Sequence, residues 1–208
     1  MLEFGSLHQK QALITLINQA FQPAFGPILK RALSDDNNAV RVQAATAMNR
    51  IENDIHRKTV DLTGRLERNP ADPAGLLALA RHYDSYLYSR ILDVRREAEV
   101  REKALDAWNR YLAVRPDDAQ ARIAANRLML RSGLCSEAAS SLKELMDSGT
   151  MTARVRFWYM ECLYRLGRYE ELRACASAAV GPADETEGDT LSAEARGALE
   201  FWAGKAAA

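Results

Sequence analysis

The sequence predicts an all-α fold, a right-handed solenoid of helical repeats, on three observations. Apolar residues recur at spacings of three and four almost throughout, the mark of helices with one buried face. Alternating apolar and polar runs, which would mark strands, are nearly absent. Residues of like kind also recur 34 positions apart in the second half: Ala104, Ala138 and Leu172, then Trp108, Leu142 and Ala176, with Met129 matched to Leu163 and Gly133 to Gly167. A fixed period of this length is what stacked helix pairs leave in a sequence.

The front of the chain is different. Gln11 to Ala20 places Leu13, Ile14, Leu16 and Ile17 on a helix that Pro23 ends, and Pro27 suits the first turn of a second helix reaching about Leu33. SDDNN then makes a turn, with Asn38 as the expected N-cap. From Ala39, the apolar positions Val40, Ala44, Ala47, Met48, Ile51, Ile55, Leu62 and Leu66 mark one helix that can run to Arg68, where Asn69-Pro70 stops it. Such a helix is about 45 Å long. Val40-Arg41 followed by Ala44, Ala45, Ala47 and Ile51 resembles the second helix of a HEAT-type repeat, with Pro27–Leu33 as the first. This front is expected to occupy residues 1–69.

Residues 70–180 read as about three tetratricopeptide repeats. Leu76-x2-Leu79-Ala80-x2-Tyr83, then Ala104-x3-Trp108 and Pro116, follow the pattern W-x2-L-G-x2-Y…A-x3-F…P with conservative replacements. Gly133 and Gly167 fall at the helix-to-helix turns, where a positive φ is needed. One spacing departs: Pro70 to Pro116 is 46, which is 34 plus 12. The extra residues lie around SYLYSRILDVRRE, and their helical pattern predicts that both helices of the first repeat are longer by about six residues. Tyr86, Leu87, Ile91, Leu92 and Val94 carry more apolar area than an exposed loop should leave uncovered. Beyond the acidic, turn-rich GPADETEGDT (181–190), residues 191–208 are expected to hold a capping helix with Leu191, Ala195, Leu199 and Trp202 in one stripe.

Composition excludes several functions. Lys plus Arg and Asp plus Glu both total 28, so no nucleic-acid partner is expected. Cys135, Cys162 and Cys175 lack metal-ligand spacing, which fits free thiols and a reducing compartment. No apolar run is long enough to span a membrane, and MLEFGSLHQK lacks the form of a signal peptide. His8, His56 and His82 are scattered, and Glu52/Asp54 and Glu170/Glu171 diverge on their helices. No metal, cofactor or catalytic residue is expected, and the chain reads as a non-enzyme.

The candidate site is instead a surface. The first helices of the repeats place Leu77 and Arg81, Ile123 and Arg127, and Arg154, Phe157, Glu161 and Tyr164 on one side. Arginines between apolar patches would suit a peptide or helix with hydrophobic anchors and acidic groups. Equally, Leu77, Ile123 and Phe157 fit a packing role between repeats, with the arginines solvated. The alternative surface is the extension, where Tyr86, Leu87, Ile91 and Val94 could serve as a docking knob.

FGSLHQKQAL, PAFGPILKRAL, NNAVRVQAATAMNRIE, LARHYDSYLYSRILD and YLAVRPDDAQAR, in this order, resemble the cytoplasmic region of PelE, a subunit of the Pel exopolysaccharide machinery, over most of the chain. The resemblance implies an interaction scaffold on the cytoplasmic side of the bacterial inner membrane, in a synthesis and secretion complex that builds biofilm polysaccharide. The implied partner is the complex's cyclic-di-GMP receptor subunit. The family carries membrane spans ahead of this region, so membrane attachment would come from segments absent here, and Met1 would open a shortened chain. Two other functions compete. A chaperone-type adaptor would need paired Lys/Asn positions along the groove, and a HEAT-like lyase or glycosylase would need a basic channel or convergent acid that residues 1–69 do not offer.

Overall fold

A computed structural model describes residues 5–149, 152–177 and 193–203. Every regular element among them is a helix. They are α1 (Leu7–Gln19), a 3-10 turn (Pro23–Phe25), α2 (Gly26–Ala32), α3 (Asn38–Arg68), α4 (Pro73–Tyr88), α5 (Val94–Val114), α6 (Ala119–Arg131), α7 (Cys135–Asp147), α8 (Ala153–Arg165), α9 (Tyr169–Ser177) and α10 (Ala193–Trp202). The chain divides into two compact units, Met1–Val114 and Arg115–Ala208. The first repeat thus packs with the front of the chain.

In the first unit, Ser6 and Gln9 form a capping box at the start of α1, and Asn37 caps α3 by accepting from the Ala39 N–H at 2.9 Å. The expected cap, Asn38, is the first helical residue instead. Asn37 holds the extended backbone of a cap (φ −84°, ψ 120°), whereas the Asn38 side-chain oxygen accepts from the Arg41 guanidinium at 3.1 Å. The long helix is present in full, 31 residues ending at Arg68. Its first half buries Val40, Ala44, Ala47, Met48 and Ile51 with Ile14 and Ile17 of α1 and Leu29 and Ala32 of α2, while Leu62 and Leu66 are buried farther along it.

Caps keep the repeat register. Asp72, Asp118 and Thr152 cap α4, α6 and α8, each accepting from backbone N–H groups of the first turn. The turns after α6 and α8 match as well. Gly133 (φ 81°) and Gly167 (φ 71°) take the left-handed conformation, and the next N–H in each closes on the helix, Leu134 to Met129 and Arg168 to Leu163, both at 2.9 Å. In the second unit Ala138, Ala139, Leu142, Val155, Leu163 and Leu172 form the core of α7, α8 and α9.

The extension differs from its expectation. α4 has 16 residues and α5 has 21, against 13 each in α6 and α7. The added length therefore goes mostly to the second helix rather than equally to both. Between them, Arg90 stands in the left-handed region (φ 55°), which a non-glycine residue adopts only where its surroundings hold it there. The turn then folds back onto the front. Ile91 joins the core with Leu29 and Ile51, and the Leu92 carbonyl accepts from Lys30 Nζ at 2.8 Å. Gly26 lies against the Ser89 carbonyl so closely that a side chain there would collide with it.

The acidic segment 181–190 and Leu191 lie outside the described residues, as does the side chain of Leu199. The capping helix is described from Ala193. Ala195 is buried and Trp202 half-buried, and α10 packs on α9.

Candidate interaction surfaces

In the first unit, α4 presents Arg81 to solvent and leaves Leu77 half-buried. The periodicity that exposes them turns Leu76, Leu79, Ala80 and Tyr83 inward. In the second unit, Arg127 and Arg154 are half-buried on α6 and α8. Phe157 and Glu161 are also half-buried, and Tyr164 is exposed. Ile123 is not available to a partner: at 6 % exposure it belongs to the core with Leu130, Val155 and Leu163. The packing role open to it in the sequence is the one it takes, because adjacent first helices need apolar contact where they meet.

The capping helix enters this surface. Phe157, Glu161 and Tyr164 line a cleft of about 160 Å³ whose other wall is Ala198 and Trp202. Trp202 stacks on Tyr169, with ring centroids 6.1 Å apart and planes within 6°, and meets Tyr164 edge-on. Glu161 is held by Arg165 at 2.7 Å. The α8 end of the predicted surface is thus partly covered by the chain's own last helix.

The extension is likewise used internally. Leu87 and Ile91 are 5 % and 6 % exposed and Tyr86 is half-buried, with Ile91 and Tyr86 packed into the front's core. These residues do not form a protruding knob: Leu87 and Ile91 are buried within the first unit, and Tyr86 packs against the core of α1, α2 and α3 while also lining two clefts. Of the four named positions only Val94, at 88 % exposure, faces solvent freely.

Where the extension meets the front, the first unit forms two clefts that sequence reasoning missed. One, of about 330 Å³, opens between the end of α1, α3 and α4, with Arg50, Asp54 and Lys58 at its rim and Phe21, Ile51, Ile55 and Tyr86 in its wall. The other, of about 450 Å³, lies between α3 and α5 over Tyr83 and Tyr86. There the Glu52–Arg96 ion pair ties the two helices at 3.3 Å. Burial and the nearby Glu52 carboxylate push the Tyr86 hydroxyl above its ordinary pKa.

His82, read from sequence as one scattered histidine, pins α4 to α3. It is 8 % exposed, and its Nε2 lies 2.9 Å from Thr59 Oγ1 and 3.1 Å from the Ile55 carbonyl. Burial, with a further contribution from the Lys58 charge, lowers its pKa, while the Ile55 hydrogen bond acts the other way. Unfolding returns His82 to its ordinary value near 6.5, so the unfolded chain binds the proton more readily. Stability from this group is present above about pH 6.5 and is lost as pH falls through the lower folded-state value. Urea midpoints should therefore fall between about pH 7 and pH 5.5, and His82→Gln should flatten that slope. An unchanged slope in the variant would remove His82 as its source.

Among the described residues no cluster of three or more potential metal ligands occurs, and no helix is long and apolar enough to cross a membrane. The three cysteines are unpaired. Burial pushes the Cys162 thiol up to about 12 and raises Cys175 as well, which is the environment of a packed thiol rather than a nucleophile.

No protein-family model matches the chain, and no curated protein matches it. Among solved structures, the chain is similar to a thermophilic tetratricopeptide-repeat (TPR) protein of Thermus thermophilus, with a TM-score of 0.52 and 17 % identity over 95 % of this chain and 98 % of that one. At that identity the likeness speaks to fold alone. Together with the repeat register of caps, glycines and core positions, it shows an all-α helical-repeat fold of the tetratricopeptide type.

Proposed function

We propose that this chain is a non-catalytic protein–protein interaction scaffold, and that it serves as the cytoplasmic part of a Pel-type exopolysaccharide synthesis and secretion complex at the bacterial inner membrane. The observation that carries the scaffold reading is the tetratricopeptide-type fold, whose first helices carry the half-buried Arg127, Arg154 and Phe157. A surface of guanidinium groups beside an aromatic ring suits a partner segment with acidic side chains and an apolar anchor. The Pel assignment rests on the sequence resemblance, which names the cyclic-di-GMP receptor subunit as partner.

Co-elution of the purified chain with the cytoplasmic part of that receptor subunit tests the assignment. A stable complex is expected at micromolar concentration. Arg127→Glu combined with Arg154→Glu should weaken it at least about tenfold, with the helical circular dichroism unchanged. Undiminished binding by a folded double variant would exclude this surface. No complex with the unaltered chain would refute the assignment of that partner to these residues.

A further inference from the structure

The cleft between α1, α3 and α4 of the first unit has a chemistry of its own. Arg50 and Lys58 both stand at its rim, exposed, and neither has an ion-pair partner among the described residues. They are two helical turns apart, a rise of about 12 Å along α3. Asp54 lies midway between them and is paired with Arg57. Behind this row of alternating charge the cleft wall is mixed: Phe21, Ile55 and Tyr86 give it apolar and aromatic area, and Asn18, Gln19 and Ser85 give it polar groups. The rim therefore attracts anions at its two ends, while the Asp54 carboxylate between them, already paired with Arg57, offers an anion no such attraction.

An extended peptide matches this spacing. Residues i and i+4 of a strand lie on one face about 13 Å apart, and residue i+2 shares that face between them. Carboxylates at i and i+4 reach Lys58 and Arg50 while the side chain at i+2 enters the cleft. An acid at i+2 would meet Asp54, so the middle position selects for an apolar side chain. We propose that this cleft is a docking site for an extended protein segment of the form acidic–x–apolar–x–acidic. The proposal rests on the scaffold reading and deepens it by adding a second recognition site, on a unit other than the one that carries Arg127 and Arg154.

The test is a nuclear magnetic resonance titration of the 15N-labelled full chain with the acetylated, amidated peptide Gly-Ser-Glu-Ser-Leu-Ser-Glu-Ser-Gly. Saturable shifts are expected at Ile51, Ile55, Ser85 and Tyr86, with an affinity of about millimolar or better. Arg50→Glu combined with Lys58→Glu should weaken binding about tenfold, because both exposed cationic partners of the peptide are replaced by like charges. Replacing the central Leu of the peptide by Asp should abolish the shifts. Both altered side chains are exposed, so the double variant should fold as the unaltered chain does.

No saturable shift at these residues up to several millimolar peptide would overturn the proposal, as would equal binding by the double variant or by the Asp peptide. Suberate, a free dicarboxylate, is the competing occupant. If it shifted the same amides at the same concentrations, the cleft would be a small-anion site and peptide docking would be refuted. Co-elution with the receptor subunit reads a different surface, so failure there would leave this result standing, and the reverse holds.

Discussion

Gly26→Ala is expected to destabilise the first unit by about 3 kcal/mol or more, although Ala is the better helix former. Gly26 opens α2 with ordinary helical angles (φ −54°, ψ −46°), so the backbone itself would accept Ala. The obstacle is steric. A Cβ there would collide with the Ser89 carbonyl oxygen and lie 2.9 Å from Ile91 Cγ2. Ser89 is buried and its N–H closes the end of α4 on Ser85 and Tyr86, so its carbonyl cannot swing away as a flexible side chain would. Either α2 or the α4–α5 turn has to move, and moving either one strains the Lys30–Leu92 hydrogen bond and uncovers Ile91. Gly64→Ala is the control. No atom lies within 4 Å of the position a Cβ would take there, near the C-terminal end of α3, so that change should stabilise by up to about 1 kcal/mol. Urea denaturation of both variants reads the contrast, and Gly26→Ala as stable as the unaltered chain would show that the front and extension do not interlock.

Leu142→Ala should cost the second unit about 2–5 kcal/mol. Leu142 is fully buried on α7, in the core that Ala138, Leu145, Tyr159 and Leu163 also build. Its repeat equivalents are Trp108 and Ala176, both buried too, so the position is filled in each repeat while the side chain differs. Ala at 176 fits because its surroundings were built for it. Ala at 142 would leave a cavity, since packed helices relax only partly around a lost side chain. A unit of this size should lose roughly 10–20 °C of melting temperature for about 3 kcal/mol. Leu16→Ala, at a position 63 % exposed, should change stability by less than about 0.5 kcal/mol. A loss at Leu142 no larger than that would contradict the core described here.

Much of the fold was legible because it repeats. The 34-residue period recovered the turns at Gly133 and Gly167, and both have the positive φ expected of them. α3 was readable to its last residue, since a long apolar stripe and Asn69-Pro70 are both local signals. The surface was less legible. Leu77, Ile123 and Phe157 occupy similar places in the pattern, yet Ile123 is buried and the other two are half-buried. Periodicity tells which face of a helix a residue is on. It does not tell how closely the neighbouring helix approaches that face, which depends on side chains far away in sequence.

The extension shows the same division most clearly. Its apolar residues announced that something must cover them, and they do not say what. Lys30 reaches Leu92 across 62 positions, and Gly26 meets Ser89 across a similar span. By itself the sequence determined the helices, the repeat period and the need to bury SYLYSRILD. Only the tertiary structure decided that the front of the chain buries it, that two clefts open where they meet, and that α10 covers part of α8. Helix formation and repeat turns depend on residues within a few positions of one another. Which surface covers which is set by shape complementarity between distant segments, and no short-range pattern encodes it.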